Sequence, residues 1–227
     1  MSKKMSSKKK FEESYFEGYY QGIGDFSRKR DKELTNWFKG MFGYINRFYP
    51  IQKGRGKSLL EFGCATGAAA NLIADYGFRV HSTDVSKYAV TASRKNYPDI
   101  EFSVHDMQKE FREHDFDVAV AFDVIEHLEN PETAIKNTYK ILKKGGTIIF
   151  TTPNDYKHMS NDPTHINVKR PDEWRKIVKK AGFKNIKIHQ VTFIPYLYRI
   201  HWRLNMALPL AISSPYFISP VVIIAKK

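Results

Sequence analysis

Residues 59–67 read LLEFGCATG, and this stretch decides the fold. An apolar run typical of a buried strand ends in an acidic residue, and a glycine-rich turn then leads into residues 68–76, which predict a helix. Glycines allow the backbone to approach a ligand closely, and the first turn of a helix offers unpaired N–H groups. The order strand, glycine turn, helix therefore predicts the ligand-binding turn of an α/β fold.

The acidic residue in this turn narrows the choice of ligand. Glycine turns of nicotinamide-binding proteins hold a pyrophosphate at the same place. Glu61 stands two positions before Gly63, and its carboxylate would repel that group but attract an ammonium group. We expect a ligand that carries a cationic group next to Glu61.

Strand-like and helix-like patterns alternate after residue 57, and this alternation predicts a parallel, doubly wound sheet. The apolar tail at 216–227 is predicted to be the closing strand of that sheet. The predicted strands cover 58–62, 79–83, 100–104, 117–121, 147–152 and 184–191, and the predicted helices cover 68–76, 87–96, 131–142 and 171–181.

The residues before the first strand divide into two parts. Residues 1–10 contain five lysines and predict a disordered basic tail. Residues 11–50 predict an N-terminal helical cap, because large apolar side chains recur at helical spacing within 28–49. Residues 51–227 are predicted to form the α/β domain.

Composition limits the partners and the compartment. The net charge is +13, and a basic surface attracts RNA, anionic lipid or a phosphorylated substrate, or only aids solubility. A single cysteine, Cys64, excludes a disulfide framework and a cysteine-based zinc site, and it indicates a reducing compartment. The sequence shows neither an apolar run of about 18 residues nor the apolar segment of a secretory signal. We therefore expect a cytoplasmic protein.

The motifs that follow one another along the chain resemble those of the class I S-adenosylmethionine-dependent methyltransferases. Their first motif, E/D-x-G-x-G-x-G, matches residues 61–67, with Ala65 at the second glycine. An alanine there should have a negative φ unless the loop is strained. The block FDVAVAFDVIEHL, residues 116–128, is similar to the small-molecule branch of the family, including the ubiquinone-biosynthesis O-methyltransferases, as are LKKGGT at 142–147 and TTPN at 151–154.

This resemblance implies a Rossmann-like, seven-stranded, mostly parallel sheet with an antiparallel C-terminal strand, and S-adenosylmethionine as the cofactor. Asp84, which ends the second predicted strand, would accept hydrogen bonds from the ribose hydroxyls, and Asp106 would bind the adenine amino group. The residues expected at the cofactor are Glu61, Gly63, Cys64, Ala65, Gly67, Asp84, Val85, Asp106, Met107 and Phe122.

The resemblance also implies transfer of a methyl group to an oxygen, and less favourably a nitrogen, of a small-molecule acceptor. The chain lacks the Asn/Asp-Pro-Pro-aromatic tetrapeptide of the methyltransferases that act on nucleobase and glutamine amino groups. Two alternatives remain. One is an RNA 2′-O-methyltransferase, favoured by the basic charge and by the similarity of the Glu126-His127 block to the enzymes of small RNAs. The other is a non-catalytic, methyltransferase-like partner subunit.

Candidate catalytic groups follow the fourth predicted strand. Asp123, Glu126 and His127 stand at i, i+3 and i+4 and share one face if residues 123–128 form a helical turn, and His165 follows the next strand. In one interpretation His127 or His165 is a general base for the acceptor. In a second, the four side chains hold a divalent metal ion that lowers the pKa of the acceptor hydroxyl. In a third, Glu126 and His127 only cap and pack the turn.

Residues 193–212 are apolar, aromatic and cationic, and their prolines and arginines exclude a membrane span. The sequence leaves three roles open for them. They form a lid or wall over the substrate site, they pack as core, or they make an interfacial helix at a membrane surface.

Overall fold

The part of the chain that the structure, a computed structural model, describes comprises residues 11, 15–16, 28–156, 162–194, 197–214 and 216–227. The basic tail predicted at 1–10 lies outside the described residues, as does most of the predicted cap before residue 28.

The centre of the fold is a seven-stranded sheet, as the sequence predicts. The strands are β1 Ser58–Phe62, β2 Arg79–Asp84, β3 Glu101–Val104, β4 Phe116–Phe122, β5 Leu142–Pro153, β6 Lys184–Gln190 and β9 Pro220–Lys226, and a separate pair consists of β7 Thr192–Phe193 and β8 Ala207–Leu208. The order in the sheet is β3-β2-β1-β4-β5-β9-β6. Strands β1 to β5 pair in parallel, which confirms the Rossmann-like, doubly wound prediction.

The C-terminal strand β9 is antiparallel to both of its neighbours, β5 and β6. It lies next to the edge strand β6 and is not itself the edge strand. The prediction of an antiparallel C-terminal strand is therefore right, but the prediction that this strand closes the sheet is wrong. Burial explains the placement. Residues 220–225 of β9 are all buried, as a strand covered on both faces requires, whereas β6 carries exposed Lys184 and Lys187 and suits an edge.

Helices cover both faces of the sheet. Alternate strand residues point to opposite faces, so Leu60 and Ala119 pack with one group of helices while Leu59 and Val118 pack with the other. The helices are α1 Arg28–Ile45, α2 Ala68–Asp75, α3 Lys87–Asn96, α4 Pro131–Ile141 and α5 Pro171–Lys180. Helices α4 and α5 cover the first face, and α1 and α2 cover the second. Over the described residues, no helix is long and apolar enough to cross a membrane.

The segment between β6 and β9 packs on the outer side of α1. Its backbone forms 3₁₀ turns at Leu197–Arg199 and Trp202–Leu204, and the interfacial helix proposed for 193–212 does not occur in the described residues. Asn36 of α1 donates a hydrogen bond to the Tyr198 carbonyl at 3.0 Å, and Asn205 donates one to the Trp37 carbonyl at 2.9 Å. Part of this segment therefore packs as core.

Candidate active site

A cavity of ≈ 280 Å³ opens at the carboxyl ends of β1, β2 and β4. Strands β1 and β4 are neighbours, but the chain continues from them toward opposite edges of the sheet. Parallel sheets bind ligands at such a reversal of strand order. The cavity is lined by most of the predicted site residues: Glu61, Gly63, Cys64, Ala65, Asp84, Val85, Asp106, Met107, Phe122, Asp123, His127 and His165. Gly67 and Glu126 do not line it.

The turn after β1 depends on a glycine at its first position. Gly63 has a φ of +82°, and a Cβ atom there would collide with the side chain of Val124. The N–H groups of Gly63 and Cys64 both donate to the Thr83 carbonyl, at 2.7 and 2.9 Å. The turn is thereby fastened to the end of β2.

Ala65 shows which of the two expected conformations the turn adopts. Its φ is +44°, in the left-handed region, so the loop is strained. Two hydrogen bonds hold it in place: its N–H donates to the Asp84 carboxylate at 3.1 Å, and the Ser93 hydroxyl donates to its carbonyl at 3.0 Å. A left-handed alanine costs about 1–2 kcal/mol, which these contacts offset.

Glu61 is a buried carboxyl group at the inner end of the cavity. The Ser82 hydroxyl donates a hydrogen bond to it. Burial raises the pKa of Glu61 to about 8, the Ser82 hydrogen bond opposes this rise, and the negative charge of Asp84 adds to it. In the described part of the chain, none of the groups that shift this pKa is cationic. A ligand ammonium group would supply the missing positive charge.

Asp84 serves the loop as well as the cavity. Its two carboxylate oxygens accept hydrogen bonds from the N–H groups of Ser86, at 2.9 Å, and Ala65, at 3.1 Å. Burial raises its pKa in spite of these bonds. Cys64, beside it, is buried with its thiol 3.5 Å from the Ser93 hydroxyl, and burial raises the pKa of that thiol well above its usual range. The thiol therefore packs in the core and does not act as a nucleophile.

The end of β3 brings a residue that the sequence reasoning missed. His105 lines the cavity next to the predicted Asp106 and Met107. Burial lowers the pKa of His105, and its buried Nε2 atom has no hydrogen-bond partner among the described residues. Its position one residue before the predicted acid was the available signal. Asp106 accepts hydrogen bonds from both the backbone and the side chain of Gln108, at 2.9 and 3.2 Å.

Two imidazoles also line the cavity. A 3₁₀ turn at Ile125–His127 follows β4. The ring centroids of His127 and His165 are 4.8 Å apart, and His127 Nδ1 lies 3.1 Å from the Thr164 carbonyl oxygen. A carbonyl accepts only, so Nδ1 carries the proton, and Nε2 is the atom 4.0 Å from a Glu126 carboxylate oxygen.

Glu126 lies behind these imidazoles, wholly buried. Neither of its carboxylate oxygens has a hydrogen bond of normal geometry among the described residues. Burial raises its pKa well above the usual range, the charge of Asp123 adds to the rise, and the nearby Thr152 hydroxyl offsets it only in part. One potential metal-ligating atom from each of Glu126, His127 and His165 lies within 4.8 Å of the others.

Asp123 does not join that group of three. Its φ of +54° keeps it outside the 3₁₀ turn, so the helical turn considered for 123–128 is limited to 125–127. The Thr151 hydroxyl donates to its carboxylate at 2.9 Å. The Asp123 side chain is exposed to the cavity, although protein surrounds it. Burial raises its pKa, and the Thr151 hydrogen bond and the charge of His165 oppose this rise.

An apolar wall from the N-terminal region completes the cavity. The sequence offers residues 193–212 as a lid or wall over the substrate site. Of the described residues after 153, His165 alone lines the cavity, and the part of 193–212 that the structure describes contributes nothing to its lining. The N-terminal wall consists of Phe11, Tyr15, Phe16, Leu34, Trp37 and Phe38.

The sequence matches a family of known activity. The family model described as a methyltransferase domain matches residues 31–188, more than half of the chain. A probable S-adenosylmethionine-dependent methyltransferase of Mycobacterium tuberculosis is 27% identical over 163 residues, 69% of this chain and 59% of the relative. A ubiquinone biosynthesis O-methyltransferase of Coxiella burnetii is 29% identical over 111 residues, 44% of this chain and 45% of the relative. The chain thus spans about half the length of the curated relatives that it matches.

Solved structures share the fold. A SAM-dependent methyltransferase from Archaeoglobus fulgidus superposes with a TM-score of 0.67, covering 94% of this chain and 99% of that chain at 20% identity. Phosphoethanolamine N-methyltransferase 2 of Haemonchus contortus, solved with S-adenosyl-L-methionine, gives 0.67, covering 100% of this chain and 61% of that chain at 16% identity. At these identities the likeness concerns the fold.

The raised pKa of Glu61 predicts a pH-dependent stability of the ligand-free protein. Glu61 ionises at its ordinary pKa near 4.5 in the unfolded chain but near 8 in the folded protein. Its protonated form therefore contributes its full stabilisation below pH 4.5, and this stabilisation is lost as the pH rises to about 8. Relative to Glu61→Gln, the free energy of unfolding of the wild type should fall by up to about 1.4 kcal/mol per pH unit between these values.

Urea unfolding at several pH values measures this slope. Glu101→Gln, which changes an exposed glutamate of β3, is the matched control and should keep the wild-type slope. Equal slopes for the wild type and Glu61→Gln would show that the buried carboxyl group does not titrate in this range.

Proposed function

This chain belongs to the class I S-adenosylmethionine-dependent methyltransferases, and we propose that it moves the methyl group of that cofactor to an oxygen of a small-molecule acceptor. The observation that carries the proposal is the single cavity described above. Residues of the cofactor motifs line it together with the imidazoles of His127 and His165. A methyl donor and a proton acceptor would thus meet in one enclosed space.

The buried acids fit the cofactor chemically. Glu61 offers a carboxylate for the ammonium group, and Asp84 offers acceptor lone pairs for ribose hydroxyls beyond those used by Ala65 and Ser86. When bound, S-adenosylmethionine supplies a methyl group on a positively charged sulfur. The chain's own work is to hold this donor and the acceptor in line and to exclude water.

The wall from the N-terminal region supports a planar or apolar acceptor. Phe11, Tyr15, Trp37 and Phe38 present aromatic surface to the cavity, and aromatic rings pack well against other rings. The name of the Coxiella burnetii relative, an O-methyltransferase of ubiquinone biosynthesis, favours an oxygen on a small molecule. We propose a phenolic acceptor.

His127 and His165 are the candidate bases for the acceptor hydroxyl. The hydrogen bond to the Thr164 carbonyl orients the His127 ring and leaves Nε2 as its proton-accepting atom. Thr164 in turn is fixed by Asp162, whose carboxylate accepts a hydrogen bond from the Thr164 N–H at 2.8 Å. The loop that carries His165 therefore also sets the orientation of His127.

A metal-assisted reaction is the second candidate, and the environment of Glu126 favours it. A buried carboxylate that has no hydrogen bond of normal geometry among the described residues faces two imidazoles, and the three candidate ligand atoms lie close enough to share one ion whose bonds are about 2.0–2.2 Å long. Glu126, His127 and His165 would hold the ion, which would lower the pKa of the acceptor hydroxyl. Asp123 is not among the three ligands.

Replacing Asp84 tests the cofactor assignment. Asp84→Ala should weaken S-adenosylmethionine binding by about 2–3 kcal/mol, because two charge-assisted hydrogen bonds to the ribose are lost. Isothermal titration calorimetry measures the change. Since Asp84 also holds the Ala65 turn, Asp84→Asn is measured beside it, and Asp99→Ala, an exposed acid, serves as the control. Wild-type affinity in both Asp84 variants would rule out the ribose contact.

Replacing the imidazoles tests their part in catalysis. His127→Ala and His165→Ala should each lower turnover by about 10²- to 10⁴-fold and leave cofactor affinity unchanged. Release of S-adenosylhomocysteine with a panel of phenols and catechols measures turnover, and the exposed His114→Ala is the control. Cofactor binding without release from any phenol, alcohol or amine would instead support a non-catalytic partner subunit.

A chelator separates the two catalytic candidates. If His127 or His165 acts as a base without metal, turnover should survive prolonged treatment with EDTA, and added imidazole should partly rescue the alanine variant. If a metal is required, EDTA should abolish turnover and Mg²⁺ or Zn²⁺ should restore it. Glu126→Gln should then raise the metal concentration needed for half-maximal activity, whereas Glu129→Gln, a change to a nearby exposed glutamate, should not.

A further inference from the structure

Exposed apolar side chains are concentrated in one part of this protein. Ten large hydrophobic residues are exposed among the described residues, and eight of them lie within 197–218. The most exposed are Ile200, at 72%, Met206, at 52%, and Tyr216, at 78%. We call residues 197–214 and 216–218 the apolar insertion. Single exposed apolar residues are ordinary on protein surfaces, but a cluster of this kind marks an interaction site.

The apolar insertion has a defined backbone structure and packs against α1, although many of its side chains are exposed. Strands β7 and β8 pair through Phe193 and Ala207, and Phe193 also forms a bridge with Ile218. The N–H of Ile194 donates to the Met206 carbonyl at 3.2 Å. On the inner side, Tyr198 packs on Trp37 with ring centroids 5.5 Å apart. The inner side chains are anchored to α1 while the outer ones face solvent.

The charged side chains of the apolar insertion are all basic. Residues 197–218 contain two arginines, Arg199 and Arg203, and not one aspartate or glutamate. Arg203 lies over the ring of Trp202, with 5.5 Å between its guanidinium carbon and the ring centroid, and Arg199 is 3.7 Å from the Glu33 carboxylate of α1. The binding partner of this region must therefore tolerate or favour positive charge.

We propose that the apolar insertion docks on the surface of an anionic lipid bilayer. Exposed Ile, Leu, Met and Trp side chains enter the boundary between headgroups and acyl chains, and the basic residues face anionic headgroups. The charge distribution selects this partner over a second copy of the chain, because a symmetric contact would bring the arginines of two insertions together, and the insertion contains no acid to pair with them. Six of the eight exposed apolar side chains are Leu, Ile or Met, which offer no stacking surface to single-stranded RNA.

Vesicle flotation of the full chain tests the proposal. The protein should float with vesicles of phosphatidylcholine that contain about 30% phosphatidylglycerol and remain behind with phosphatidylcholine alone. The double variant Ile200→Ser/Met206→Ser should lower the partition coefficient about tenfold. Val104→Ser, a change to an exposed apolar residue of β3, is the matched control and should bind as the wild type does.

The charge contribution is measured in the same experiment. Arg203→Gln should lower binding about fivefold, and Arg79→Gln, a change to the exposed first residue of β2, should lower it far less. Each variant retains the lysines of residues 1–10, so any contribution from them is the same in every measurement. Equal melting temperatures confirm that the variants are folded.

Four results would overturn the proposal. The first is no flotation with anionic vesicles, and the second is flotation that Ile200→Ser/Met206→Ser and Val104→Ser change equally. The third is binding of single-stranded poly(U) that the double variant weakens while flotation is unaffected. The fourth is a dimer in sedimentation experiments that the double variant dissociates while flotation is unaffected, which would assign the insertion to contact between copies.

Discussion

One hydrogen bond, from the Ala65 N–H to the Asp84 carboxylate, joins the two strand ends on which the site depends. It holds a left-handed alanine in the turn after β1 and at the same time fixes the carboxylate at the end of β2. Helix α3 supports the same turn through the Ser93 hydroxyl. Strain in the loop and burial of the acid are thus balanced against each other.

Carboxyl groups with raised pKa values are the second property of the cavity. Burial raises the pKa of four such groups: Glu61, Asp84 and Asp123 line the cavity, and Glu126 lies behind His127 and His165. In their ionised form such groups reduce the stability of the folded protein, because a buried negative charge is unfavourable unless hydrogen bonds or a counter-charge compensate it. A ligand with positive charge would relieve that cost. S-adenosylmethionine, with its ammonium and sulfonium groups, is a ligand of this kind.

Much of this architecture was predictable from the sequence, because the spacing of apolar residues and the positions of glycines follow directly from backbone geometry. The parallel strands and the helices after them lie where the apolar patterns place them, and the strand ends bring distant acids such as Glu61 and Asp84 to one cavity. The position of β9 inside the sheet depends on which strand has two buried faces, a property of the assembled sheet. The positive φ of Ala65 depends on its contact with Asp84, which periodicity does not reveal. The cavity lining from Trp37 depends on how α1 packs, a contact distant in the sequence.

The measurement that tests this account most directly is a crystal structure of the protein with S-adenosylhomocysteine. The account predicts the ligand at the carboxyl ends of β1, β2 and β4, with its ammonium group within hydrogen-bond distance of Glu61 and its ribose hydroxyls on Asp84. Its sulfur should point toward the end of the cavity where His127 and His165 lie. A ligand bound elsewhere, or bound in this cavity with its ribose and ammonium groups away from both acids, would contradict the account.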